Sequence, residues 1–396
     1  SNGCLVQEGS DNIDINTETV GCKDTFHSMA RAVFQLQTEM TDSSAVHAEQ
    51  VKVKRGQEKS LPVDEQTMSL INCVPFNKPK ERPEPPRREN AYSDIQSCSE
   101  RCEASLDSVW VLLRLLFREV IKFPMELPEQ IKQAIPFWTG FNGLVSESLP
   151  CRTLVTYAPV VDSKPSDMST VYTTMKKCMD MSKEVGQDFA IQTFDQQLYA
   201  VSQQVKWSMP EVFQSHILRL GGFHTLSCFI ACIGKLWADG GLRDLMVDSG
   251  VYAGCTVDQM LLGKQFNRSV RGLTLVYEAL RSLWFASFFK WCEENDGIDA
   301  IPKDVWVMLS KCQAKFSDES ESYKDVLNEL TILYTTHVLP LTVRFRNWGY
   351  LESPTFKYWD MFLNAVEVML QTFVQNGRVC GHCINILLLI CCHTSS

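Results

Sequence analysis

Apolar residues recur at three- and four-residue spacing from about residue 104 (LDSVWVLLRLLFREVIKF) and stop at Pro124, which predicts an amphipathic helix. Before it, GCLVQEGSDNID and TFHSMARAVFQLQ flank Gly21 and read as strand, turn, strand. After it, IPFWTGFNGL (135–144) reads as a loop and LVTYAPVV (154–161) as a short apolar run. DMSTVYTTMKKCMDMSKEVG (167–186) has helical period, with Asp167 or Ser169 as N-cap and Gly186 as its stop. DFAIQTFD (188–195) is β-branched and aromatic, the text of a buried strand, and ends on Asp195. A further helix follows, then strand-like HILRLGGF (216–223), then a helix from His224 to Trp237. Helical period then dominates over roughly 257–294, 303–315, 320–337 and 356–375. Strand–helix alternation of this length predicts an α/β core, interrupted or followed by a helical block, with no internal repeat.

The pattern divides the chain. Residues 1–40 carry the first strands. Residues 41–100 are polar with a Pro-rich basic centre (NKPKERPEPPRREN), a linker composition that cannot bury a core. Residues 101–240 hold a helix and the rest of the α/β core, 241–380 the helical block, and 381–396 an apolar tail.

Length and charge narrow the picture. The 396 residues suffice for two or three domain-sized units. A net charge of −9 argues against a generally basic surface, so any contact with nucleic acid, DNA included, must rest on local patches or on a domain not present in this sequence. The first residue is Ser and no signal peptide precedes it, so an internal fragment or processed product is expected. Sixteen cysteines, many inside apolar helical text (Cys228, Cys232, Cys292), then read as thiols of a reduced intracellular protein, nuclear or cytoplasmic. No apolar run reaches the roughly 18 residues a membrane helix needs, so no membrane partner is expected. Cys98 with Cys102, and Cys380, His382, Cys383, Cys391, Cys392 and His393, are the two places zinc could bind. Neither has a second pair at zinc-ribbon spacing, and a frayed apolar tail is the plainer reading of the second.

Candidate chemistry begins with carboxylates at strand ends. One strand-like run leads to Asp11 and another ends at Asp195. Most such residues cap the following turn. Two from neighbouring strands can instead hold Mg²⁺, or a metal pair for phosphodiester chemistry. His224, after Gly221 and Gly222, is either a helix-start residue or a group beside Asp195 that orients a phosphate or donates a proton. Lys264, Arg268 and Arg271 fall at i, i+4 and i+7, either a phosphate-contacting face or a solvated one paired with Glu278 or Asp258. Trp284, Phe285, Phe288, Phe289 and Trp291 crowd an apolar helix and read as core rather than as a stacking ladder.

Five stretches occur together in order: DNIDINTETVGCKDTFH, FWTGFN (137–142), TFDQQLYA (193–200), LRLGGFHTL (218–226) and GKQFNRSVRG (263–272). From about residue 5 to 375 the chain thereby resembles a family of transposon-derived animal proteins similar to DDE-type transposases. The resemblance implies an RNase H-like mixed sheet with a large α-helical insertion or C-terminal helical block, and ancestral metal-dependent DNA cleavage or strand transfer. It implies Asp11 and Asp195 as catalytic carboxylates, and Mg²⁺ or Mn²⁺ held by Asp11, Asp195 and Asp14, the alternative first ligand. Family members continue past the YWDMFLNAVEVML helix into a segment with a late acidic residue. Here the text becomes VCGHCINILLLICCHTSS, and Glu367 reads as surface or packing, so a truncated, inactive copy lacking the third acid is expected. The rival expectation is a non-enzymatic helical interaction module. Separation of Asp11 from Asp195 would favour it.

Overall fold

The computed structural model describes residues 5–16, 25–36, 71–81, 83–85, 103–118, 134–145, 153–295, 298–316 and 323–374. These form two compact units, one of residues 1–89 with 150–225, the other of 90–149 with 226–396.

The first unit is built on a five-stranded mixed sheet, β1 (Val6–Asn16), β2 (Thr25–Leu36), β3 (Thr153–Val161), β4 (Ala190–Phe194) and β5 (His216–Leu220). Their order is β3-β2-β1-β4-β5. β2 runs antiparallel to β1 and β3, while β4 is parallel to β1, and β5 to β4. Helix α4 (Gln196–Ser208) links β4 to β5, as parallel neighbours require, and α3 (Met168–Glu184) leads from β3 at one edge of the sheet across to β4. The predicted ends of α3 hold: Asp167 accepts from the Ser169 amide, and Gly186 takes φ +78°. Met29, Val161, Met175, Phe194, Leu198, Val205 and Phe213 form the core between sheet and helices. The buried face of α3 is rich in threonine. Thr173 and Thr174 can sit there because each hydroxyl donates to the carbonyl four residues back, at 2.7 and 2.8 Å.

Part of the predicted linker belongs to this unit. Ile71 bridges to Val161, the Val74 amide donates to Thr173 Oγ1 at 2.8 Å, and the Phe76 ring packs on Tyr172. Two apolar residues in a polar stretch suffice to dock it; most of the remainder of 41–100, the apolar tail and both candidate zinc clusters lie outside the described residues.

The second unit is helical: α1 (Glu103–Arg118), α2 (Trp138–Val145), α5 (Gly222–Trp237), α6 (Arg243–Asp248), α7 (Gly254–Leu261), α8 (Phe266–Glu294), α9 (Lys303–Ala314), α10 (Tyr323–Leu333), α11 (Leu339–Glu352) and α12 (Pro354–Val374). The first turn of α5, through Thr225, falls with the sheet unit. Four expectations are corrected. Residues 90–149 cluster with the helical block, not with the sheet, and that block resumes at Leu226, not at 241. The loop expected at 135–144 contains α2: Trp138 and Phe141, one turn apart and fully buried, outweigh the cost of Gly140 and Gly143. The single helix expected over 257–294 breaks between α7 and α8. There Gly263 has φ +72°, and a Cβ would overlap the Ser227 carbonyl. Residues 339–352, assigned to no helix from sequence, form α11 with Pro340 in its first turn, where a missing N–H costs nothing.

α8 is the spine of this unit. Trp284, Phe285, Phe288, Phe289 and Trp291 are all buried, as the core reading expects. Three ion pairs lace the interior: Arg114–Glu278 at 2.6 Å, Arg281–Glu367 at 2.6 Å and Arg346–Asp360 at 3.1 Å. Cys292 and Cys312 fill apolar space, and burial pushes both thiols up to about 11. No helix among the described residues is long and apolar enough to cross a membrane.

Candidate functional site at the carboxyl ends of the parallel strands

β1, β4 and β5 point the same way; the carboxyl ends of β4 and β5 lie together beside the middle of β1, which runs on past them to Asn16. Ser10 and Phe194 are the last register partners of β1 and β4. An aspartate follows each: Asp195 just past the end of β4, and Asp11 in the middle of β1, which continues to Asn16 in register with β2 instead of ending there as the sequence suggested. Asp195 keeps an extended backbone (φ −66°, ψ 177°), which continues the strand direction for one more residue. Neighbouring strands lie about 4.7–4.9 Å apart, so side chains at matched positions of one face emerge side by side.

Asp195 caps α4: its Oδ1 accepts from the Leu198 amide at 2.7 Å. Asp11 is exposed on β1, and its Oδ1 accepts from the Asn12 amide at 2.8 Å. Each carboxylate thus commits one oxygen to a local amide and keeps a second with no described partner. The cap reading holds for one oxygen of Asp195, whereas Asp11, inside β1, forms neither a cap nor a turn.

His224 lies in the first turn of α5, half-buried. The Gly221 amide donates to the Phe194 carbonyl at 2.8 Å, which ties the end of β5 to the end of β4. A Cβ on Gly221 would stand 3.4 Å from that carbonyl, 3.7 Å from His224 Cδ2 and 3.8 Å from Thr193 Cγ2. The imidazole therefore sits one residue's width from the strand that delivers Asp195. Asp14 is three positions further along β1, opposite His27 of β2, and its side chain lies outside the described residues. Among the described residues, no three His, Cys, Asp or Glu side chains converge as a ready-made cation cage. What this part of the sheet presents is Asp195 after β4, Asp11 on the neighbouring strand, and His224 in the turn that follows β5.

On the buried face of β1 stands a group that sequence reasoning missed. Glu8 is fully buried and accepts four bonds: from Arg31 Nε and Nη2 at 2.8 and 2.7 Å, from Ser10 Oγ at 3.0 Å and from Gln192 Nε2 at 3.1 Å. Gln192 also donates to Ser10 Oγ at 2.9 Å, so the network spans β2, β1 and β4. Its signal was available: Glu8 and Ser10 share the parity of buried Val6, so a charge occupied a core position. Cys178 of α3 lies over it, its thiol pushed well up by burial and then by the negative charge of Glu8. This sulfur is inert filler.

The basic residues belong to the helical unit. Arg268 and Arg271 are exposed on the first two turns of α8, while Lys264 precedes the helix, so the three do not form one helical face. The partners expected for them are also corrected: Glu278 pairs with Arg114 and Asp258 with Arg243 (2.7 Å). Glu367 is packing, as expected; it accepts from Tyr277 Oη and Arg281 Nη2, both at 2.6 Å.

A family model described as a domain of unknown function (DUF8702) matches residues 137–382, more than half of the chain. The match takes in β3, β4, β5, Asp195, His224 and the basic segment, and leaves out the strand that carries Asp11. Comparison with curated proteins and with solved structures found no match.

Proposed function

The chain belongs to the DUF8702 family, and we propose that its sheet unit is an RNase H-like core of transposase ancestry, built for metal-dependent phosphodiester cleavage or strand transfer on DNA. The observation that supports the reading is the register of β1 and β4, whose last partners, Ser10 and Phe194, immediately precede Asp11 and Asp195. In open α/β sheets the carboxyl ends of the strands are where ligands bind. The order β3-β2-β1-β4-β5, with three antiparallel strands followed by two parallel to the first, supports the RNase H-like assignment. The adjacency also favours this reading over the helical interaction module, which would leave the two carboxylates unrelated.

The donor chemistry suits a hard divalent cation: two carboxylates, each with one oxygen bonded to a local amide, follow the last register partners of neighbouring strands, and a shared ion would require an oxygen of each within about 2.0–2.6 Å of it. Mg²⁺ or Mn²⁺ there supplies charge stabilisation to a phosphoryl oxygen. The chain's own residues do the rest. Asp195 is held at one angle by its cap bond, Gly221 brings the His224 imidazole to the same edge, and the Glu8 network stiffens the strands behind.

Isothermal titration of the 396-residue protein with Mn²⁺ tests the pair. Asp195→Asn keeps a cap acceptor and removes the charge, so it should abolish the binding that the parent shows while preserving the fold. Equal Mn²⁺ affinity in Asp11→Asn, Asp195→Asn and parent would remove the basis of the proposal. Plasmid relaxation with Mg²⁺ or Mn²⁺ is expected to stay at background, because a two-acid site holds two ions poorly. Nicking that vanishes in Asp195→Asn would show that the reading of inactivity is wrong.

A further inference from the structure

In the helical unit, two segments far apart in the chain meet at one cleft of about 560 Å³, within the range of small-molecule sites. Phe137 and Thr139, at the start of α2, form one side; Asn267, Val270 and Arg271, on the first two turns of α8, form the other, and Arg114 of α1 reaches it from within. Both segments, FWTGFN and GKQFNRSVRG, are among those that carry the sequence resemblance, and neither has a role in the carboxylate site.

The charged residues that line the cleft are both arginines, and Arg271 carries the one charge there not paired with a described residue. Arg271 is exposed and makes no ion pair with a described residue. Arg114 is 8 % exposed and contributes a second guanidinium, anchored on Glu278 at 2.6 Å and on the Ile135 carbonyl at 2.6 Å. Thr139 and Asn267 add neutral donors, and no carboxylate is among the lining residues. The amino-terminal turns of the 29-residue α8 bring the positive end of its dipole to the same place. The remaining wall is apolar and built to stay in position. The Phe137 ring stands edge-on to Trp110 at 6.3 Å, and Trp110 Nε1 donates to the Pro136 carbonyl at 3.1 Å.

We propose that this cleft binds one phosphate-bearing nucleotide unit, with Arg271 taking the phosphate and Phe137 offering its ring to the base. An anion alone would leave the apolar wall unused, and an apolar ligand would leave Arg271 unused; a nucleotide uses both. The same chemistry is presented by a free nucleotide and by an unpaired nucleotide of a DNA strand. The inference requires neither Asp11 nor Asp195, so it stands or falls apart from the phosphodiester reading.

The test uses the full chain in EDTA, which keeps metal chemistry out, and two probes read by fluorescence anisotropy: mant-ATP and a short fluorescein-labelled single-stranded oligothymidylate. At least one should bind; which of the two does so identifies the source. Arg271→Ala should weaken binding roughly tenfold or more, as loss of a charge-assisted bond does. Arg271→Lys should recover part of it. Phe137→Ala should also weaken it about tenfold, the effect of losing a stacking contact. Arg268→Ala, on the same helical turn but outside the cleft, should change it by less than about twofold. Unchanged circular dichroism certifies the variants. Binding of neither probe, or equal losses in Arg268→Ala and Arg271→Ala, would overturn the proposal, the second result meaning a diffuse charged surface.

Discussion

Replacing Arg31 by Met should loosen the strands that carry the carboxylate pair. Arg31 is 4 % exposed and gives two charge-assisted bonds to Glu8, itself fully buried. Met fills similar volume, so the main loss is electrostatic. Glu8 keeps only the neutral donors Ser10 and Gln192. Removing one partner of a buried pair costs about 3–5 kcal/mol, most of it from the stranded charge rather than from the value of the pair. Glu8→Met with Arg31→Met should therefore return most of the loss, since an apolar replacement of both members is often neutral or better. Two units need not unfold together, so a single melting temperature would blur the effect. Hydrogen exchange read by peptide is the better assay. The single variant should lose protection in β1 and β4 while the α8 peptides stay unchanged, and the double variant should regain it. Full protection in Arg31→Met, or a double variant as unprotected as the single, would refute the account of a network that stiffens the sheet behind Asp11 and Asp195.

Three further outcomes follow from the packing. Gly234→Ala would drive a Cβ into the Leu261 carbonyl, a backbone clash that side-chain adjustment cannot relieve. A loss of at least about 1–3 kcal/mol in the helical unit, seen in denaturant titration of its tryptophan fluorescence, is expected, and a neutral result would discredit the α5–α7 contact. His216 is fully buried, neither ring nitrogen has a partner among the described residues, and burial, then Lys206, lowers its pKa to about 4. The unfolded chain binds the proton near 6.5, so stability is full above that value and falls as pH drops toward 4, by about 3 kcal/mol in all. His216→Leu should flatten that part of the stability–pH curve; an unchanged slope would assign it elsewhere. Glu367→Gln should cost about 3–5 kcal/mol by leaving Arg281 buried without its counter-charge, measured by the same fluorescence titration, and a loss below about 1 kcal/mol would contradict the pairing.

Much of the sheet was legible because its signals are local. Alternation marks β4, whose inward residues Ala190, Gln192 and Phe194 are buried, and the Asp167 cap and Gly186 stop bracket α3 closely. The misreadings share a cause. α2 holds two glycines and α11 a proline near its start, so local propensity argued against helix while burial of Trp138, Phe141 and Phe345 argued for it. The fate of residues 71–76 turned on Ile71 and Phe76, whose value depends on a partner surface that composition does not reveal. The unit boundaries escaped for a related reason: α1 precedes β3 in the chain, yet its apolar face is complementary to α8.

The carboxylate pair sets a harder problem, because capping and metal binding ask for the same residue at the same place. An aspartate at a strand end has an extended backbone, a free amide two or three residues on, and an outward carboxylate, whichever role it serves. Sequence therefore could not separate the two readings of Asp195, and the structure shows why they need not compete: the Leu198 amide occupies Oδ1 and leaves the other oxygen. What distinguishes a site from a cap is the neighbour, and the neighbour is set by register. A one-residue slip of β1 against β4 would place Ser10 or Asn12 beside Asp195 and turn Asp11 to the other face. It would also break the Glu8–Gln192 and Ser10–Gln192 bonds, which exist only at the present alignment. The buried polar network and the exposed acid pair are thus consequences of one register. That is why a change at Arg31, on the opposite face of the sheet, is expected to reach Asp11.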